Sequence, residues 1–216
     1  REDFAITITR NEDSRTITVS DNGIGMSKED LEENLGTIAK SGSLGFKQAM
    51  EKQEDIDIIG QFGVGFYSAF MVASSITVIS KKYGETAAWK WTSDGADGYT
   101  IEETPRDTVG TDVIMTVKKD TEDEKYSDFL EEHRLRTLVK KYSDYIRYPI
   151  KMPVIKSRKK DGSEEYESYT EIETLNSMVP LWKKNKNEIE ADEYNSFYTE
   201  KFYDYEAPAK VITQKS

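Results

Sequence analysis

Two glycine-rich clusters hold the residues of this chain best suited to chemistry. They are Asp21-Asn22-Gly23-Ile24-Gly25-Met26 and Gly60-Gln61-Phe62-Gly63-Val64-Gly65-Phe66. Glycine lets backbone come close to a ligand and take positive φ. A glycine loop that opens a helix points free N–H groups outward, where they bind anions. The apolar run from Tyr67 to Ala73 predicts such a helix after the second cluster. One carboxylate, Asp21, beside these loops suits a ligand with a hydrogen-bond donor and phosphates, and a purine nucleotide has both. The plainer alternatives are that Asp21 only shapes a turn with Asn22 and Gly23, and that Gly60–Gly65 only joins a strand to a helix. Three glycines in six residues weigh against the second.

The elements around these clusters are legible from periodicity. Phe4, Ile6 and Ile8 alternate with Ala5, Thr7 and Thr9, and Ile17 and Val19 with Thr16, Thr18 and Ser20, with Asn11-Glu12-Asp13-Ser14 between the two runs. That predicts a β-hairpin that delivers Asp21 to a strand end. Ser27-Lys28-Glu29-Asp30 has capping-box spacing and predicts a helix from Lys28 to about Asn34. Small polar residues from Gly36 to Ser43 predict a loop able to move, and Leu44 to Lys52 a short helix. Strand signals at 76–82, 87–92, 99–103 and 111–117, punctuated by Gly84, Gly95, Gly98 and Gly110, predict an antiparallel meander. Tyr126 to Tyr148 reads as one helix, with Leu135, Leu138, Val139, Tyr142 and Ile146 on one face and Pro149 ending it. Helices with antiparallel strands indicate an α+β layered fold. The charged stretch 156–173 reads as a hairpin tip or linker, and 189–203 as a tyrosine-rich helix. The organisation expected is a first domain over 1–155, a linker over 156–173 and the start of a second domain over 174–216.

Composition narrows the function classes. The 216 residues carry a net charge of −11, which disfavours nucleic acid as a partner. There is no cysteine and only one histidine, His133, so neither a disulfide framework nor a thiolate or His-rich metal site is expected. His133 reads as solvated on a charged helix, with a phosphoacceptor role as the weaker rival. The Lys156–Lys160 cluster reads as a solvated loop, and Tyr194, Phe197, Tyr198, Phe202 and Tyr203 as a helix packing face. No apolar run approaches membrane-spanning length and no signal peptide opens the chain, which fits a cytoplasmic location.

At its glycine clusters the sequence resembles the heat-shock protein 90 family of ATP-dependent chaperones. The matching blocks are 21–26, Asn34-Leu35-Gly36-Thr37-Ile38-Ala39-Lys40-Ser41-Gly42, and 60–68 with Tyr67-Ser68. The match continues through Gly110-Thr111 and Tyr148-Pro149-Ile150 into Leu181-Trp182-Lys183-Lys184-Asn185-Lys186, which resembles the start of the family's middle domain. The resemblance implies a two-layer α/β sandwich of the Bergerat type, shared with gyrase, histidine kinases and mismatch-repair ATPases. It implies ATP or ADP as ligand with Mg²⁺, client proteins as partners, and a homodimer formed through a C-terminal domain not in this sequence.

Residue by residue, the resemblance makes Asp21 the carboxylate that accepts from the adenine amino group, with Thr111 as its helper. Ile24, Met26, Leu35, Phe66 and Val113 would wall the pocket. Gly25 would let the base lie close, and Asn34 would touch the sugar-phosphate. Lys40, Gln61, Gly63, Val64 and Gly65 would hold the phosphates, with residues 36–60 as a lid. The family's catalytic Glu and Mg²⁺-binding Asn are expected before Arg1, and its γ-phosphate arginine after Ser216, so no catalytic residue is expected within this sequence. The alternatives are a nucleotide-binding module without turnover and a relative of the histidine kinase or topoisomerase type. Gln61 and Phe62 in the long glycine block, together with the Trp182 segment, argue against the last.

Overall fold

Period-two alternation of apolar residues builds most of this protein. The computed structural model describes residues 3–36, 65–96, 98–160, 165–184, 189–202 and 204–212. Its strands are β1 (Ile6–Asn11), β2 (Thr16–Asp21), β3 (Ala73–Lys81), β4 (Ala88–Ser93), β5 (Thr100–Thr104), β6 (Gly110–Val117), β7 (Ile150–Lys159) and β8 (Tyr166–Thr174). They form one mixed sheet in the order β5-β4-β3-β6-β2-β1-β7-β8. Neighbours run antiparallel except β1 and β7, which are parallel with Ile6 opposite Ile150.

Register gathers the apolar side chains on one face. Ile17, Met115 and Ile76 make one row across β2, β6 and β3, and Val19, Val113 and Val78 make the next. Directly paired residues project to the same side of a sheet. Helices cover that face in two places. Helix α1 (Lys28–Leu35) buries Leu31 and Leu35 against Ile76, Val78 and Trp91. The short helix α2 (Gly65–Ser68) adds Phe66, whose ring meets Trp91 edge-on at 5.5 Å. Helix α3 (Glu132–Tyr142) buries Leu135 and Val139 with Ile8, Ile17 and the β7 residues Ile150, Met152 and Val154. Helix α4 (Ala191–Phe202) follows a short 3-10 turn at Leu181–Lys183. The α+β two-layer class read from the sequence is the one observed.

Local chemistry sets the helix ends. The Ser27 hydroxyl accepts from the Asp30 N–H, and the Asp30 carboxylate accepts from the Ser27 N–H, the reciprocal capping box expected at this spacing. Lys82 from beyond β3 also reaches the Asp30 carboxylate, at 2.7 Å. Burial pushes that carboxyl upward, but the Lys82 and Ser27 hydrogen bonds outweigh it and hold it below its ordinary 3.8.

Several expectations change. The meander holds for β3, β4 and β5, but β6 returns between β3 and β2 rather than beside β5. Val113 and Met115 continue the apolar rows of both neighbours, which suits β6 to the sheet centre. β5 carries Glu102 and Glu103 and is left at the edge, where charge discourages pairing with another chain. The helix expected from Tyr126 to Tyr148 is broken. Residues Tyr126–Leu130 form a 3-10 turn, Glu131 is extended at φ −81 and ψ 136, and α3 ends at Tyr142. Tyr142, expected on the packing face, is exposed. The run from Tyr67 to Ala73 is helical only to Met71, because Ala73 already points inward as the first residue of β3. The stretch 156–173 takes the hairpin form of its two readings. Lys156 pairs with Tyr169 and Lys159 with Tyr166 across β7 and β8, and Lys156 bridges Glu171 and Glu173 at 2.8 and 2.6 Å. The helix expected over 44–52 lies outside the described residues.

Met152 is fully buried in the β7 part of the core. Met152→Ala should destabilise the fold by about 2–5 kcal/mol. The check is a lowered denaturation midpoint with an unchanged denaturant slope.

Candidate functional site

β2 carries Asp21 to the edge of the apolar face, and the register continues its row. Asp21 pairs with Thr111 on β6, and Thr111 pairs with Ser80 on β3. Three oxygen-bearing side chains thus stand side by side at one end of the three central strands, next to the Val19–Val113–Val78 row. Ser80 is fully buried and Thr111 nearly so. The Ser80 hydroxyl lies 2.9 Å from the Thr111 hydroxyl and 3.2 Å from the Gly110 carbonyl oxygen, and it accepts from the Met26 N–H at 2.8 Å.

The first glycine cluster folds over this row. The Asp21 carboxylate accepts from the Gly23 N–H at 2.8 Å, an Asx-type turn. The turn chemistry read from the sequence is therefore present at Asp21. Asn22 accepts from the Ala5 N–H at 2.8 Å and donates to the Asp3 carbonyl at 2.9 Å, which ties the turn to the first strand. Gly25 has φ +68, and a Cβ there would sit 1.9 Å from the Lys81 carbonyl oxygen. Only glycine lets the loop lie on β3 in this way. The Tyr83 N–H donates to the Ile24 carbonyl at 2.8 Å, while the Ile24 side chain is exposed. Gly110, at φ +131, makes a similar approach: a Cβ there would meet the Asp21 carbonyl oxygen at 2.1 Å.

Burial dominates the electrostatics of Asp21. It raises the carboxyl above its ordinary 3.8, against the Gly23 and Thr111 N–H groups and the Arg106 charge, while Asp112 adds to the rise. Arg106 itself is engaged by Asp112, which lies on the opposite face of β6. A carboxylate held half-buried without a full counter-ion is poised to accept a donor from a ligand.

Four of the five apolar residues named for the pocket come together, while Ile24 is exposed and stands apart from them. Met26, Leu35, Phe66 and Val113 belong to one cluster with Leu31, Ile76, Val78 and Trp91. Their packing is that of core. The Tyr67 hydroxyl donates to the Leu35 carbonyl at 2.7 Å and joins the end of α1 to α2. Asn34 donates its amide to the Asp30 carbonyl at 2.7 Å, one turn back in α1. Gly65 opens α2, with nothing near the place of its missing Cβ. Lys40, Gln61, Gly63 and Val64 lie outside the described residues, as does the lid reading beyond Gly36. Among the described residues no group of three or more His, Asp and Glu could hold a metal ion. His133 is exposed, 3.2 Å from Glu131.

The sequence reading passed over Ser80. Its signal was present: inward positions of β3 run Ile76, Val78, Ser80, and a polar residue that continues an apolar alternation needs partners.

Two outcomes follow from this geometry. Gly25→Ala should cost at least about 1–3 kcal/mol of stability, since it meets both a left-handed φ and a backbone oxygen; a thermal melt measures it. The second is a pH dependence. Below pH 3.8 Asp21 is protonated folded and unfolded alike. As pH rises through the raised folded value, burying its charge removes stability. The stability of Asp21→Asn relative to the parent should therefore increase from about pH 4 to pH 7 in denaturant titrations.

Comparison with known proteins fits this arrangement. Residues 2–122 match the family model described as histidine kinase-, DNA gyrase B-, and HSP90-like ATPase. Residues 128–171 and 157–215 match the model for Hsp90 protein. The chain is 57% identical over 211 residues to Chaperone protein HtpG of Clostridium perfringens, which covers 97% of this chain and 34% of that protein. It is 55% identical over 213 residues to Chaperone protein HtpG of Clostridium acetobutylicum, with 98% and 34% covered. Against the Chaperone protein HtpG of Alkaliphilus oremlandii the figure is 56% over 213 residues, with the same coverage. The chain thus spans 34% of the length of these relatives. With the ATPase model matching more than half of its residues and the Hsp90 model most of the remainder, the chain belongs to the Hsp90 family of these ATPases.

Proposed function

We propose that this chain binds ATP and ADP through the end of its central strands, as the nucleotide-binding part of an ATP-dependent chaperone. The observation that carries the reading is the Asp21–Thr111 pair beside the close-lying Gly25 and Gly110. A half-buried carboxylate accepts the amino group of a purine, and the close backbone approach at the two glycines fixes the loop and strand end around it. Asp21 and Thr111 would hold the base. Ile24, Gly25, Met26, Leu35, Phe66 and Val113 would flank it, and Asn34 would face the sugar. Lys40, Gln61, Gly63, Val64 and Gly65 would take the phosphates, with Mg²⁺ entering alongside them.

In this reading residues 1–155 carry the nucleotide site, 174–216 begin a second domain, and 156–173 join them while completing the sheet. Hydrolysis, client proteins and homodimer formation belong to the longer protein that the HtpG relatives exemplify, in the cytoplasm. Glu29, Glu32 and Glu33 are exposed on α1 and have no catalytic role in this reading. This chain should therefore bind nucleotide and release no phosphate above background in a coupled assay. Inhibitor-sensitive turnover would reveal a catalytic carboxylate within it.

Calorimetric titration with ADP tests the binding site directly. Hydrogen bonds to charged groups are worth roughly 1.5–3 kcal/mol, so Asp21→Asn should weaken ADP by about 10- to 150-fold. Because the same substitution removes a buried charge, the apo protein should not lose stability at neutral pH. Equal ADP affinity in the two proteins would remove Asp21 from the base site.

A further inference from the structure

We propose that Ser80 fixes the Thr111 hydroxyl as a hydrogen-bond acceptor, and that this makes the site select purines bearing an exocyclic amino group. The inference rests on the nucleotide reading above and adds a positioning residue behind it.

The argument is a count of protons. A serine hydroxyl has one proton and two lone pairs. Ser80 is fully buried, so protein groups supply its partners. The Met26 N–H donates to it at 2.8 Å, which fills one lone pair. Its own proton goes to the Gly110 carbonyl at 3.2 Å, since a carbonyl can only accept. The third contact, to the Thr111 hydroxyl at 2.9 Å, must then be one in which Ser80 accepts and Thr111 donates. The single Thr111 proton is thereby turned toward β3. What Thr111 offers in any other direction is lone pairs.

Asp21, the register partner of Thr111 on its other side, is acceptor-only when ionised. The ligand end of the row thus presents two acceptors side by side. An exocyclic amino group has two N–H donors and suits them. A purine with a carbonyl at that position would set its oxygen against lone pairs, and a site built for one hydrogen-bonding pattern rejects the other strongly. With Ser80 removed, the Thr111 hydroxyl rotates freely and can donate to such a carbonyl. Ser80 thus sets the polarity of the row without touching the ligand. The Met26 bond extends the same control to the glycine loop, because it holds the backbone next to Gly25.

The test compares ADP with inosine diphosphate, which carries a carbonyl where adenine carries the amino group. Affinities are measured on the full chain by calorimetry and by competition against labelled ADP. The parent should prefer ADP. Ser80→Ala should narrow that preference by about tenfold, through weaker ADP and unchanged or tighter inosine diphosphate binding. Ser80→Thr, which keeps the hydroxyl, should restore it. If Ser80→Ala does not fold, Ser80→Cys serves, since a thiol fills the place but hydrogen-bonds weakly; it should narrow the preference by a smaller factor. An equal loss for both nucleotides, with their ratio unchanged, would show a purely structural serine and overturn the inference alone. Failure of the parent to bind ADP would overturn the nucleotide reading, and this inference with it.

Discussion

The register of β6 between β2 and β3 is the constraint on which the rest depends. One alignment places Ile17, Met115 and Ile76 in a row, then Val19, Val113 and Val78, then Asp21, Thr111 and Ser80. Two apolar rows specify the third. A one-residue slip would turn every buried side chain of the strand to the other face. The apolar rows therefore hold the polar row in place, and the core beneath α1 and the site at the strand ends are parts of one packing solution.

At its end the polar row works against the core. Asp21 is a carboxylate drawn out of water without a full counter-ion, and Gly25 and Gly110 hold backbone in left-handed conformations against neighbouring carbonyl oxygens. Each feature costs stability that an ordinary strand end would not lose. The structure offsets them locally. Ser80 satisfies three polar groups at once, Asn22 ties the turn to the first strand, and Lys82 braces the cap of α1. Local strain is thus confined to the strand ends and braced on every side by hydrogen bonds.

Much of this was legible in the residues, for identifiable reasons. Alternation fixed β1, β2 and the inward faces of β3 and β6, because one side of each strand is buried. The capping box at Ser27 and Asp30 marked the start of α1. Asp21 and the glycines stood out because turn residues clustered where a strand had to stop. The order of strands was hidden, since nothing local says that β6 leaves β5 to enter between β3 and β2. The break at Glu131 was hidden too: the apolar spacing runs on through it, and only packing of Leu130 and Leu135 against the same β-sheet face demands the extended residue between them. Ser80 escaped notice because serine is common at strand ends, and its meaning comes from three partners distant in sequence.

The parallel pairing of β1 with β7 has a consequence for how the chain assembles. Ile6 meets Ile150, and β2 meets β6 across a shorter but still long stretch of chain. The β1–β2 hairpin is local and can form early, yet both its outer edges stay open until β6 and β7 have been made. Pairings this distant slow folding, and open edges recruit other chains in the meantime. During synthesis the hairpin that carries Asp21 emerges before β6 and β7 and waits for both. For this protein the interval between translation of residue 21 and of residue 150 is a window of exposure, in which the newly made hairpin presents unpaired strand edges to other chains.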